Sequence, residues 1–260
     1  MNIRTPKEVQ YMREAGKILA EILHELALMT KPGITTGQLN IKAEALMAKY
    51  NVDSNFKNYH GTYPGVICTS VNEEVVHTIP GKRVIQDGDI ISIDGGVIHH
   101  GWHSDAAVTV LVGNVKPEIR KFVETVQKSF EKALAVIKPG AHVGDIGFAV
   151  QQFIEANGYS VVRDYVGHGI GRQMHEEPQI PNFGKKGKGP LLVPGMTIAI
   201  EPIITMGERY VDVAGDQWTV VSRDGSPACQ IEHTIYIGAK GPEVLTKFGN
   251  TINSVYSNGI

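Results

Sequence analysis

Asp94 and Asp105 are the first residues of this 260-residue chain whose type and spacing point to chemistry. Each borders a β-type run, IISI ahead of the first acid and AVTVLV behind the second, with a His99-His100-Gly101 break between them. That pattern reads as a hairpin. A turn centred near His99 and His100 makes the two acids directly opposed residues, with Cβ atoms only ~4.5–5.5 Å apart. Carboxylates that close raise each other's pKa unless they share a proton or a cation. Hard carboxylate oxygens suit divalent metals.

Other residues extend the set. Glu201 lies in TIAIEPIITM and Glu232 in ACQIEHTIYIG, each inside an apolar run where an ionised group is costly without a partner. A strand followed by a Gly-rich loop, VVRDYVGHGIGRQMHEEPQIPNFG, carries His168 and His175, and imidazole adds a further ligand type. Taken singly, an acid at a strand end is ordinarily a solvated or hydrogen-bonded surface group. Four carboxylates and one imidazole in this arrangement, Asp94, Asp105, His168, Glu201 and Glu232, point instead to a two-metal site. Such a site holds ions ~3.5–4 Å apart around a water of lowered pKa.

The elements that must position these groups come twice. Thr5-Pro6-Lys7-Glu8 has the form of a capping box with Pro at the first helical position, and Ile18, Leu19, Ile22, Leu23 and Leu26 follow at helical spacing. A second helix is expected over Thr36 to Tyr50, after Lys31-Pro32-Gly33. Past Val112 the order restarts: helices over Glu118 to Ile137 and Val143 to Asn157, the first ending in Lys138-Pro139-Gly140 and the second stopped by Gly158. An offset of 107 links Lys31 to Lys138, Gly37 to Gly144, Gly88 to Gly195 and Asp94 to Glu201. Self-similarity at a fixed step means one unit used twice. The expectation is a single catalytic domain over 1–260, α/β in class, with pseudo-symmetric halves of roughly 1–112 and 113–250. Asp105 is matched to Glu232 by an offset of 127, with twenty extra residues in the Gly207 to Ser226 connection that carries Trp218.

Composition narrows the function. A formal charge of −2 and a pI near 6.6 leave no basic field for nucleic acid and no polybasic face for a membrane. Two cysteines make no disulfide framework, and MNIRTPKEVQ lacks the apolar core of a signal peptide. With no apolar run long enough to span a bilayer, the cytoplasm is the expected compartment. The GHGIG run fails the dinucleotide test because no helix opens after it. GKKGKG lacks the Ser or Thr of a phosphate loop, and His99 and His100 read as turn residues.

NYHGTYPGVICTSVNEEVVHTIPG, the Asp94 to Asp105 spacing, GHGIGRQMHEEPQIPN, the IEP at Ile200 to Pro202, and QIEHTIYI around Glu232 together resemble the type I methionine aminopeptidases, dinuclear metallopeptidases of pita-bread fold. The resemblance spans essentially the whole chain. It implies a pseudo-two-fold repeat, a central, mostly antiparallel curved sheet and helix pairs outside. It implies metal-dependent release of the initiator methionine from nascent chains, with a metal-bridged water as nucleophile and a small second residue preferred. Asp94, Asp105, His168, Glu201 and Glu232 match the ligands of two divalent ions (cobalt, manganese, iron or zinc), Asp105 and Glu232 being shared by both. Glu201 also matches the group that handles the proton of the water. His77 matches the histidine that contacts the scissile amide, and His175 the one that stabilises the carbonyl oxygen. Tyr59, Tyr63, Cys68, Met174 and Trp218 match the side-chain pocket, with His77 and His175 at its edge. As partners it implies nascent N-termini and, at most, transient ribosome contact, for a monomer.

The chain departs from the family pattern at three places. Met174 stands where many relatives carry Phe, Gln217 precedes Trp218, and Gly95-Gly96 and Ala106-Ala107 stand where small hydroxyl residues often follow the two aspartates. Three rival readings are weaker. Cleavage before proline belongs to relatives that generally add an N-terminal domain, a binding module would have lost the ligands, and Cys68 has no adjacent base to make it a nucleophile.

Overall fold

Helix α1 (Pro6–Met29) begins as its sequence dictates: Thr5 accepts from the Glu8 N–H, and the Glu8 carboxylate accepts from the Thr5 N–H. The computed structural model describes residues 2–247, so residues 248–250 of the expected second half and the tail to 260 lie outside the described residues. Helix α2 (Thr36–Tyr50) repeats the device with Thr35 and Gln38. Helices α3 (Pro117–Val136) and α4 (Val143–Ala156) follow in the second half, and Gly158 leaves α4 at φ +82. No described helix is long and apolar enough to cross a membrane.

The first half contributes β1 (Asp53–Ser54), β2 (Ile67–Val71), β3 (Glu74–Val76), β4 (Ile90–His99) and β5 (Trp102–Leu111). The second contributes β6 (Ser160–Val161), β7 (Gly167–Gly169), β8 (Glu176–Ile180), β9 (Thr197–Ile200) and β10 (Ile203–Thr205). It continues with β11 (Val211–Val213), β12 (Val220–Ser222), β13 (Ala228–Gln230), β14 (Glu232–Gly238) and β15 (Gly241–Val244). The main sheet has nine strands in the order β1-β4-β5-β14-β9-β7-β8, with β2 also on β4 and β15 also on β14. Its pairings are antiparallel. The β5–β14 junction is the seam between halves, with β4 and β9 flanking it.

Packing follows the same division. Leu19, Ile22, Leu23 and Leu26 of α1 and Leu39 and Ala43 of α2 bury against Ile67, Ile91, Ile93 and Val108. Phe122, Val126 and Phe130 of α3 and Ile146 and Val150 of α4 bury against Ile198, Ile200 and Ile235. Each fully buried Leu or Ile contributes ~1.5–3 kcal/mol relative to exposure, so each helix pair is held mainly by its own half of the sheet.

The 107-residue step survives at the level of single bonds. Gly33 N–H donates to Ile85 O and Gly140 N–H to Leu192 O, both at 2.9 Å; Gly37 donates to Gly81 O and Gly144 to Lys188 O. The isolated bridges Thr35–Val84 and His142–Leu191 obey the same step. The two Lys-Pro-Gly turns therefore dock their helices by the same backbone contacts.

Candidate metal centre

The β4–β5 hairpin corrects the register expected for its acids. The turn residues are His100 and Gly101, both left-handed at φ +51 and +72. A two-residue turn of that mirror type matches the right-handed twist of the strands, and this places the turn one residue later than expected. Asp94 consequently opposes Ala107, and Asp105 opposes Gly96. The acids keep one face of the sheet but are staggered diagonally, a spacing of roughly 7–8 Å that leaves room for a cation between them.

In the second half the acids do stand opposed. Ile200 pairs with His233 and Ile203 with Gln230. The register is continuous across Pro202, whose carbonyl accepts from Ile231 N–H, so Glu201 faces Glu232. Ala107 therefore occupies the place of Glu232, and Gln230 that of Asp105. The match of Asp105 to Glu232 is overturned at residue level, although their strands are equivalent. Asp94 and Ala107 are 13 residues apart, Glu201 and Glu232 are 31 apart, and the insertion is their difference of 18 rather than twenty. It falls between β10 and β13 as expected, and β11 and β12 form there as a pair, with β12 also pairing with β3.

Across the seam these acids converge on His168 of β7. Donor atoms of Asp105, His168 and Glu232 all lie within 4.8 Å of one another, and Glu201 Oε1 is 3.9 Å from His168 Nε2. The His168 Nδ1 donates to the Gly169 carbonyl at 2.8 Å, which leaves the Nε2 lone pair free to ligate. Burial, followed by the nearby His175, depresses His168 to about 4 and keeps it neutral. Burial lifts Asp94 to about 7; burial and then the Asp94 charge lift Glu201 to about 8. Asp105 and Glu232 are pushed up by burial and by the other carboxylates. Asp94 Oδ1 and Asp105 Oδ1 are buried with no hydrogen-bond partner. Four crowded acids, two of them with orphaned oxygens, and a neutral imidazole suit a divalent-ion site.

The expected Gly and Ala backing has a physical account. A Cβ on Gly96 would lie 2.3 Å from Asn55 Nδ2. The Asn55 amide fills that space and donates to Ser104 O at 3.1 Å. Hydroxyls stand elsewhere on the two strands, two residues before Asp94 and four after Asp105: Ser92 and Thr109 bond each other at 2.7 Å, Thr109 donates to Gln230 O, and Ser92 accepts from Gln230 N–H. Thr234 clamps the Asp105 backbone, accepting from its N–H and donating to its carbonyl.

One cavity of about 290 Å³ is lined by the five expected ligands together with His77, His175, Tyr59, Tyr63, Cys68, Met174 and Trp218. Met174, Phe56, Tyr63 and Cys68 form a buried cluster, against which Tyr59 and Trp218 pack. Tyr63 meets Trp218 edge-on at 5.1 Å and donates to Cys68 Sγ at 3.1 Å. Burial, then the Asp94 charge, raises the Cys68 thiol well above its ordinary value, which leaves no thiolate for nucleophilic work. His77 sits at φ +60, a costly backbone for a non-glycine residue and one that collects at functional sites. Burial, then His175, depresses His77 to about 4. Tyr59 Oη lies 2.6 Å from His175 Nδ1, and the His175 and His168 rings are 4.3 Å apart.

A family model, metallopeptidase family M24, matches residues 10–239. The chain belongs to that family. It is 47% identical over 245 residues to a methionine aminopeptidase of Clostridium acetobutylicum (94% of this chain, 98% of the relative). It is 48% identical over 244 residues to methionine aminopeptidase 1 of Bacillus subtilis, with the same coverage. The crystal structure of a methionine aminopeptidase from Thermotoga maritima superposes at TM-score 0.93 with 44% identity, covering 95% of this chain and 99% of that one. The curved antiparallel sheet with helix pairs outside is thus the pita-bread fold of the M24 family, and the carboxylate-rich set makes it a divalent-metal hydrolase fold in this chain too.

Some cavity residues escaped the sequence reading: Phe56, Asp164, Tyr165, Val166 and Gln230. Gln230 donates to Glu232 Oε2 at 3.4 Å and also hydrogen-bonds Asp94. Its signal was present, because a residue two before Glu232 on a strand shares its face. Tyr165 stacks edge-on against His77 at 5.2 Å; nothing in its local sequence marks that contact. Neither His60, which packs edge-on against Tyr59, nor His103 belongs to the cavity lining.

Proposed function

We propose that this chain is a methionyl aminopeptidase that removes the N-terminal methionine of nascent proteins, with residues 1–260 acting as one catalytic domain. The observation that carries the reading is the joint lining of one small cavity by four buried carboxylates, three histidines and a thioether-and-aromatic wall. An unbranched thioether suits that wall, since sulfur–aromatic contacts add ~0.3–1.5 kcal/mol each. The side chain of the substrate methionine lies among Tyr59, Tyr63, Cys68, Met174 and Trp218.

Asp94, Asp105, His168, Glu201 and Glu232 would hold two divalent ions, Asp105 and Glu232 serving both; cobalt, manganese, iron and zinc all suit such a set. When bound, the pair supplies an acidified water and a polarised carbonyl. Glu201 takes the proton released on attack and returns it to the leaving amine, as a carboxylate placed beside the attacking water can do. His77, neutral at that pH, has a ring N–H to donate at the scissile amide. His175, held by Tyr59, donates to the carbonyl oxygen as charge develops there. The cleft prefers a small second residue. The protein acts as a cytoplasmic monomer, with any ribosome contact transient.

The test is a peptide panel varying the first two residues, run on dialysed enzyme with each metal added back. Free methionine is expected from Met-Ala peptides, with Leu-Ala uncut and Met-Lys much slower. Equal rates on Met-Ala and Met-Lys would remove the second-residue preference, and full activity in excess chelator would remove the metal mechanism.

A further inference from the structure

The tip of the β4–β5 hairpin carries two adjacent imidazoles, His99 and His100, that the candidate metal centre does not use. Helix α1 brings Glu14 against them. His99 Nε2 lies 3.6 Å from Glu14 Oε2, the two imidazole rings are 4.2 Å apart, and one donor atom from each of the three residues lies within 4.8 Å of the others. Glu14 is already oriented, because its second oxygen, Oε1, accepts from Gln10 Nε2 at 3.0 Å and leaves Oε2 toward His99. His100 is held in its turn from both sides. Tyr11 of α1 packs on its ring at 5.0 Å, and Arg172 Nη1 donates to the Gly101 carbonyl at 3.2 Å while its guanidinium lies 4.2 Å over the Trp102 ring.

We infer that Glu14, His99 and His100 form a second metal site, specific for a borderline transition ion such as zinc and separate from the carboxylate-rich centre. Two imidazoles and one carboxylate, with ligand bonds of ~2.0–2.2 Å, make a three-residue set whose fourth position water completes. The 3.6 Å pair matches tetrahedral ligand spacing, and rotation of the solvent-exposed His100 ring closes the remainder. The donor types also distinguish the two sites: nitrogen-rich ligation favours zinc, nickel or copper, whereas magnesium and manganese prefer oxygen-rich sets. A bound ion ties α1 to the far end of the hairpin that carries Asp94 and Asp105. It therefore stabilises the folded state in proportion to ion concentration.

The test counts zinc. Wild type, Glu14→Gln, and a His99→Gln/His100→Asn double variant are loaded with manganese, dialysed against rising zinc, and assayed for bound zinc and thermal midpoint. Asn at 100 tolerates the left-handed backbone of that position. Exchange at the carboxylate-rich centre is common to all three proteins and cancels. Wild type is expected to bind one equivalent more than either variant and to gain a zinc-dependent rise in midpoint that both variants lose, with manganese-supported activity unchanged. Equal zinc content in all three proteins overturns the site. Should the double variant fail to fold, Glu14→Gln alone decides, because the change is nearly isosteric and the half-buried Glu14 side chain is not among the core residues. A further Asp94→Asn/Glu232→Gln protein is expected to keep the extra equivalent; its loss there would assign that ion to the carboxylate set and overturn the proposal.

Discussion

The two acidic hairpins of this molecule come from the same design and place their acids differently. In the first half, β4 and β5 join through a two-residue turn, and Asp94 and Asp105 are staggered across the pair. In the second, the equivalent strands are joined through β11 and β12, and Glu201 and Glu232 stand opposed. One acidic position is common to both halves, Asp94 and Glu201. The other is not: Asp105 corresponds to Gln230, and Glu232 to Ala107. Duplication thus accounts for the frame and the docking of the helices, while the arrangement of the carboxylates is asymmetric. That asymmetry gives the proposed pair of ions unequal surroundings.

The largest expected effect tests the shared position. If Glu201 moves a proton as well as binding metal, Glu201→Gln lowers kcat by ~10²–10⁴-fold, the span typical of a positioned acid–base group. Asp94→Asn should instead act mainly through metal affinity, which added metal partly restores. Steady-state kinetics at saturating metal separate the two, and near wild-type turnover in Glu201→Gln would make the common position a ligand only.

The non-equivalent position comes next. Gln230 is the counterpart of Asp105, yet it works as a donor to Glu232 and Asp94 rather than as an acid. Gln230→Leu removes both hydrogen bonds from carboxylates that need them, and a 10–100-fold loss of metal affinity is expected, the usual scale for partners of ligating groups. Direct metal titration reads this without reference to turnover. An unchanged affinity would mean that the Ser92–Thr109 bracing alone orients this strand.

A third test uses the four acids together, and its sign follows from their protonation. Asp94 holds its proton up to about 7 and Glu201 up to about 8 in the folded, metal-free protein, whereas an unfolded chain releases such protons near ~4. Between those limits the folded state binds more protons, so stability is fullest below the unfolded values and falls as pH rises through the window to about 8. Below the ordinary histidine range the buried His77 and His168, depressed to about 4, act in the opposite sense. The thermal midpoint of metal-free protein should therefore decline above that range, up to about pH 8, and saturating metal should abolish the decline because the ligands are then ionised throughout. A flat metal-free profile would show that water reaches the acids.

Much of this was legible in the chain itself. Helix positions came through to within a residue because capping boxes, Pro at the first turn and apolar spacing are local signals, and the 107-residue step came through because Lys-Pro-Gly turns repeat their backbone bonds. The register of the first hairpin did not, since His99-His100-Gly101 offers two adjacent turn centres and only the backbone of His100 decides between them. The Gly96 and Asn55 exchange was illegible for a related reason: a side chain 41 positions away in the chain occupies the missing volume, and no local pattern reports a contact of that range.

The smallest expected effect lies in the insertion that distinguishes the halves. Gln217 adopts φ +66 between β11 and β12. Its N–H donates to Ala214 O, and Asp216 Oδ1 accepts from the N–H groups of Trp218 and Thr219. The turn that presents Trp218 is therefore over-determined by its neighbours, and Gln217 bears a left-handed strain of ~1–2 kcal/mol. Glycine relieves that strain but loses ~0.5–1 kcal/mol of chain entropy relative to alanine, so Gln217→Gly should stabilise by about 0.5–1 kcal/mol. That corresponds to a midpoint rise of roughly 2–3 °C at this size. Gln217→Val should go the other way, because a β-branched residue tolerates the conformation least. If both substitutions leave the midpoint unmoved while the KM for Met-Ala peptides rises, the insertion is too loosely coupled to the fold for its strain to register, and its contribution lies wholly in holding Trp218 against Tyr63.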